Sequence, residues 1–236
     1  MTVRAEIALA GSIEPHRENP ATTFIMEFDM DRAARILRAL GGVLIALACA
    51  AGTAQATAPP QAVMLVATER LAGSGYEETV LVATPLPGGE HVGFIINRPT
   101  KVKLAMLLPE HAASRKVVDP VYLGGPLLTE SLFALARRAP EGGDVIPLES
   151  GLVLAIDAVT VGRLIETMPN DARYFAGLVV WQAGELDDEI RAGAWEVRPA
   201  DAGTVFHANP AGLWKELRTG ARGSRLWVSA RQSMAP

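Results

Sequence analysis

A single cysteine, Cys49, is all the thiol chemistry in this 236-residue chain. No disulfide can close within it, and zinc sites built from several thiolates are excluded. The four histidines, His16, His91, His111 and His207, stand apart without ligand spacing. Neither a metal nor a cofactor is expected from these residues. Charge of one sign is also missing: 22 Lys and Arg against 26 Asp and Glu give a net charge of −4. Apart from Arg32, Arg35 and Arg38 no basic run stands out, which argues against nucleic acid as a partner. A local basic patch has material only near Arg218, Arg222, Arg225 and Arg231. No nucleophile motif is present, because Gly73-Ser74-Gly75 lacks the Gly-x-Ser-x-Gly elbow. Gly124-Gly125-Pro126 carries neither the Lys nor the glycine spacing of a phosphate loop. The uncharged run 39–51 is too short for a comfortable membrane span.

What is there suffices for a folded domain. Apolar residues make up 49% and charged residues 20%, so a core can be buried and disorder is not expected. Arg32, Arg35 and Arg38, then the apolar run 39–51, then Ala54-Gln55-Ala56 make the three-part pattern of a secretory signal. Residues 30–56 are expected to be that signal, with translation starting at Met30. Residues 1–29 are then an extension upstream of the true start. The expected location is periplasmic or secreted, with membrane contact only through the signal if it is not cut. Cys49 follows Ala46-Leu47-Ala48, one position out of step with a lipid-attachment pattern, and reads as filler of the apolar run.

One domain is expected over 61–220, followed by a tail at 221–236. Strands are predicted at Val63–Thr68, Thr79–Thr84, Val92–Asn97, Pro120–Leu123, Leu152–Ile156, Tyr174–Gln182 and Ala194–Val197. The second and third would form a hairpin across Pro85–Gly89. Thr100 is placed to cap a short helix over Lys101–Leu108. Ser131–Arg138 fits helix or strand. Val161, Leu164, Ile165 and Met168 have helical spacing within Asp157–Met168. Gly184–Ala192 reads as a short acidic helix. Asn209-Pro210 opens a last helix, closed by Gly220. Leu226–Ser229 could add an edge strand. Strands and helices mix without strict alternation, so the fold class is α+β, a single domain.

Three stretches demand special backbone: Gly93-Phe94-Ile95-Ile96-Asn97-Arg98-Pro99, Tyr122-Leu123-Gly124-Gly125-Pro126 and Gly177 to Leu186. Together with Phe175-Ala176-Gly177, Trp181, Gly184-Glu185-Leu186, Glu189-Ile190 and Gly193-Ala194-Trp195, this order resembles the AlgH/YqgE family over roughly Met64 to Leu217. The resemblance implies a mixed, bent or bifurcated β-sheet flanked by helices. It implies no known biochemical activity. One branch carries a regulatory label without an established DNA-binding surface, and members are typically cytoplasmic. The chain departs from the family pattern in places. Gly73-Ser74-Gly75-Tyr76 stands where Asp-Pro-x-Phe is usual, Pro85-Leu86 where Glu-His is usual, and Glu185 where Gln is usual.

The candidate binding residues are Asn97, Arg98, Gly124, Gly125, Trp181 and Glu185. Pro99 holds Arg98 out of helical geometry at a strand end, where its planar fork could grip a carboxylate or phosphate. The structural alternative is that Asn97 closes a turn and Arg98 pairs with Glu185 or Glu189. Gly124-Gly125 could offer backbone N–H groups to an anion, or simply make a tight turn. Trp181, Trp195 and Trp214 are core or groove-wall aromatics. Glu185, Asp187, Asp188 and Glu189 fit the first turn of a helix better than a cation loop. Asp157 and His207 could pair as acid and base. The function these residues point to is a non-catalytic binding or regulatory module, exported, whose partner is a small anionic ligand or a protein. The alternatives are a small hydrolase with an unrecognised site and a cytoplasmic transcriptional regulator.

Overall fold

Buried β-branched and aromatic runs decide the architecture. A computed structural model describes residues 62–148 and 151–219. The expected extension 1–29, the signal 30–56, and the tail 221–236 with its edge strand all lie outside the described residues. The described strands are β1 (Val63–Ala67), β2 (Val80–Pro85), β3 (His91–Ile95), β4 (Pro99–Lys103) and β5 (Pro120–Leu123). They continue with β6 (Leu127–Ala136), β7 (Ile146–Pro147), β8 (Val153–Ala155), β9 (Ala172–Trp181) and β10 (Trp195–Pro199). The helices are α1 (Leu104–Leu107), α2 (Ala158–Thr167), α3 (Glu185–Arg191) and α4 (Ala202–Val205), and residues 213–219 are also helical.

The strands hydrogen-bond in the order β10-β1-β2-β3-β9-β6-β8-β7, while β4 pairs with β5 and β5 with β9. Among the described strand pairs only β5–β9 is parallel. The branch lies on β9, whose ten residues are all buried, as expected of a strand covered on both faces. Its first half pairs with β6 and β5, from Ala172↔Ala136 to Leu123↔Ala176. Its last three residues pair with β3, Val179↔Gly93 to Trp181↔His91. Gly177, at φ 76, sits between the two halves. The fold is therefore α+β, with a curled, branching, mostly antiparallel sheet.

Two clusters fill the layers. Leu65, Ala67, Leu81, Ala83, Ile95, Val179 and Trp181 come from one sheet face, and Leu186 of α3 packs on them with Trp195. Ala134, Ala136, Ala155, Ala172 and Tyr174 come from the other half, under Val161, Leu164 and Ile165 of α2. Asp157 caps α2 by accepting from the Thr160 N–H at 2.8 Å, the arrangement that its position before the apolar repeat predicts. At the branch, Phe94, Phe133, Phe175 and Tyr122 stack with ring centroids 5.5–5.6 Å apart.

One expectation is corrected and one open reading is decided. The helix expected over Lys101–Leu108 shrinks to Leu104–Leu107, because Pro99–Lys103 pairs with β5 instead. The Thr100 hydroxyl is spent there: it donates to the Val121 carbonyl at 2.7 Å and accepts from the Val102 N–H. Ser131–Arg138, left open between helix and strand, is strand through Ala136 as the end of β6, whose partners on β9 and β8 override the helical preference of Leu and Ala, and Arg137 and Arg138 follow the strand. Short elements at Glu69–Leu71, Ala112–Lys116, Ile146–Pro147 and Ala202–Val205 had no predicted counterpart.

Candidate functional site

Each predicted residue has a definite place. Asn97 is buried just after β3, and its amide ties two chain segments together. Its Oδ1 accepts from the Val80 N–H at 2.8 Å and its Nδ2 donates to the Glu78 carbonyl at 2.9 Å. Glu78 has φ 56, rare for a residue with a side chain. Asn97 thus holds a strained turn leading into β2. Arg98 follows with a similar hold on the same loop. Its Nη1 donates to the Gly75 carbonyl at 2.8 Å and its Nη2 to the Glu77 carbonyl at 3.1 Å. The two grips flank Tyr76.

Arg98 does not pair with Glu185 or Glu189, and those carboxylates have other work. Glu189 sits below two buried indoles, and its Oε2 accepts from Trp181 Nε1 at 2.9 Å and Trp195 Nε1 at 2.6 Å. Glu185 turns back and accepts from the Gln182 N–H at 2.7 Å, closing the first turn of α3. Half-buried Arg98 makes no ion pair with any described residue and donates only to neutral carbonyls. Burial lowers its pKa, and Tyr76 partly opposes that. A guanidinium carries five N–H donors, so two bonds leave most of its fork uncommitted.

Tyr76 lies at the centre of this group. Its ring stands edge-on to Trp195, centroids 6.0 Å apart. Its hydroxyl is buried and has no hydrogen-bond partner among the described residues. Burial pushes the phenol pKa up to about 12; Glu189 and Glu185 push the same way and Arg98 pulls down. All three charges therefore lie within electrostatic reach of the hydroxyl. Sequence reasoning passed over Tyr76 because its glycine-flanked loop reads as flexible. The usable signal was an aromatic residue inside that loop, four positions before β2 opens.

The glycine turn does a different job. A Cβ on Gly124 would collide with the Gly177 carbonyl, and one on Gly125 with the Leu178 carbonyl. Gly124 N–H donates to the Ala176 carbonyl and its own carbonyl accepts from Ile95, both at 2.8 Å. Gly124 and Gly125 are thus a close backbone crossing at the branch, with Leu123 N–H bonded to the Arg98 carbonyl at 3.0 Å. The structure brings Arg98, Trp181 and Glu185 around Tyr76 and Glu189, and leaves Gly124 and Gly125 packed against β9. Asp157 and His207 do not meet: the first caps α2 and the second faces Glu216 at 3.3 Å.

This arrangement can be set beside known proteins. The AlgH-like family model matches residues 64–224. A UPF0301 protein of Streptomyces coelicolor is 30% identical over 174 residues, spanning 70% of this chain and 89% of the relative. One from Thermobifida fusca is 31% identical over 179 residues, with the same coverage. The chain belongs to the AlgH-like family. The solution structure of the AlgH protein from Pseudomonas aeruginosa matches with TM-score 0.56 and 23% identity, covering 77% of this chain and 98% of that one. A crystal structure from Corynebacterium diphtheriae matches with TM-score 0.55 and 23% identity, covering 68% and 86%. At that identity the two structures speak for the AlgH-like fold alone. In this AlgH-like chain Arg98 holds the loop on either side of Tyr76, through the Gly75 and Glu77 carbonyls, and Asn97 holds its end at Glu78 and Val80.

Proposed function

We propose that this protein is a non-catalytic binding or regulatory module that takes an acidic group, of a small ligand or of a protein partner, at Arg98. One observation carries the reading: Arg98 is half-buried, has no carboxylate partner among the described residues, and keeps N–H donors to spare. A desolvated cation without a counter-charge is costly, and an oxyanion restores the balance through a two-pronged fork. The neighbouring Asn97 and the two carbonyl grips hold the fork in place, so little ordering remains to be done on binding.

Export of the module is supported by Arg32, Arg35 and Arg38, the uncharged run 39–51 and Ala54-Gln55-Ala56. Cell fractionation with N-terminal sequencing checks it: the expected product is periplasmic and begins at Thr57, and an intact terminus in the cytoplasm contradicts it. Binding is tested by thermal shift with acetate and inorganic phosphate. At least one should raise Tm in the full-length protein and lose its effect in Arg98→Lys, which keeps the charge but not the fork. Stabilisation equal in both proteins would remove Arg98 from the reading.

A further inference from the structure

At one end the described sheet stops at β10, which has a strand partner, β1, on one flank only. In an antiparallel pair, alternate residues aim their N–H and C=O groups at the partner. Ala67 N–H goes to the Thr79 carbonyl beside β2, and Thr68 N–H goes to the Ala194 carbonyl. With Met64↔Arg198 and Val66↔Glu196 in register, Glu196 and Arg198 therefore aim their backbone at β1. Trp195, Val197 and Pro199 aim theirs outward. Pro199 has no N–H to offer there, as suits an edge. Val197 has both groups, and its side chain is among the exposed large apolar ones, at 42%. An edge of this kind is a template for one more strand.

Where the chain goes next names the occupant. The helix over 213–219 is fastened to β10 itself: Arg198 Nη2 donates to the Leu217 carbonyl at 3.0 Å, and Arg218 Nη1 to Glu196 Oε2 at 3.1 Å. Arg218 also grips Glu69, and Trp214 Nε1 donates to the Ala67 carbonyl at 2.8 Å. The chain beyond 219 thus starts out beside the open flank. Residues 220–225 lead to Leu226-Trp227-Val228-Ser229. Those six residues can span about 20 Å, more than the roughly 17 Å of the five-residue β10. Gly220 and Gly223 permit the change of direction this needs. We infer that Leu226–Ser229 pairs with the outward flank of β10 as a further strand of the sheet. Leu226 and Val228 then share the face of Val197, Leu65 and Trp195, since burial of one face fixes the register. A short flexible tether gives an effective concentration of about millimolar, so at micromolar protein the tail outcompetes a second copy for this edge. The inference is independent of the Arg98 reading.

Backbone amide hydrogen exchange in the full-length protein, read by NMR, tests it. The Val197 amide should be protected in the native chain. Neighbouring residues of a strand aim at opposite flanks, so one of Trp227→Pro and Val228→Pro removes an N–H aimed at β10. At least one of these variants should speed Val197 exchange about tenfold or more, as a local opening would. The Leu65 amide, which faces β2, should keep its rate and so report an intact sheet. A Val197 amide that exchanges at the rate of an unstructured peptide in the native chain overturns the inference. Protection indifferent to both prolines does the same. Protection that rises with protein concentration, together with a dimer in sedimentation, overturns it as well and gives the edge to a second copy.

Discussion

Arg98, Glu189 and Tyr76 each show a polar group whose partners were not those its type suggests. Arg98 grips carbonyls, Glu189 serves two indoles, and the Tyr76 hydroxyl has no hydrogen-bond partner among the described residues. Removing the Glu189 carboxylate leaves two buried donors unpaired, so Glu189→Ala should cost about 2–4 kcal/mol in denaturant unfolding. Glu189→Gln, which keeps an acceptor, should cost markedly less. Equal losses in the two variants would mean that the indoles do not depend on that oxygen. The three tyrosines, Tyr76, Tyr122 and Tyr174, share a second testable property. Burial raises the phenol pKa of each, foremost in every case, above the usual value of 10.0. The native state therefore holds protons that the unfolded chain releases, and stability falls as pH rises through 10 toward 12. Near-ultraviolet absorbance should show less phenolate in the folded protein than in the unfolded chain at pH about 10.5, where a free tyrosine is more than half ionised. Early phenolate without unfolding would contradict the burial of these rings.

At the level of elements, the sequence was most legible where burial is continuous. The runs 63–68, 79–84, 92–97 and 174–182 read as strands because β-branched and aromatic residues crowd them, and paired strands lie at Val63–Ala67, Val80–Pro85, His91–Ile95 and Ala172–Trp181, within two residues of each expected end. Asn209 announced a helix start through its capping oxygen, and Asp157, read only as the beginning of a helical run, caps α2 in the same way. Thr100 misled, since the same hydroxyl chemistry that caps a helix also bonds a neighbouring strand carbonyl. No local signal separates the two; the pairing of β4 with β5 does. Glycines at 124, 125 and 177 were legible as turns, but their purpose was not, because the collision they avoid involves residues more than fifty positions apart. Gly125→Ala places a methyl group against the Leu178 carbonyl. It should destabilise the fold by about 3 kcal/mol or more, beyond ordinary overpacking, since backbone cannot yield as a side chain can. Equilibrium unfolding would show it, and an unchanged midpoint would mean that the crossing is looser than described.

For the whole molecule, the branch at β9 sets where function can sit. It turns one strand into a member of two sheet halves, so that Arg98 leaves the sheet close to the Gly124-Gly125 crossing, while Trp181 leads into α3 above the same apolar face. The AlgH-like order of motifs was readable in the sequence because each motif encodes a backbone demand of this branch. The site around Tyr76 was only half readable. Arg98, Trp181 and Glu185 stood out by type and position, yet Tyr76 entered through the tertiary hold of Arg98 on its two neighbours. The central claim is that the Arg98 guanidinium is a receptor for an oxyanion. Nitrogen NMR of the arginine Nε–H groups, with the Arg98 signal assigned by its loss in Arg98→Lys, observes that group directly during titration with acetate and inorganic phosphate. The account predicts that this signal moves and saturates while the Arg173 signal stays in place. An unmoved Arg98 signal at saturating probe would contradict it.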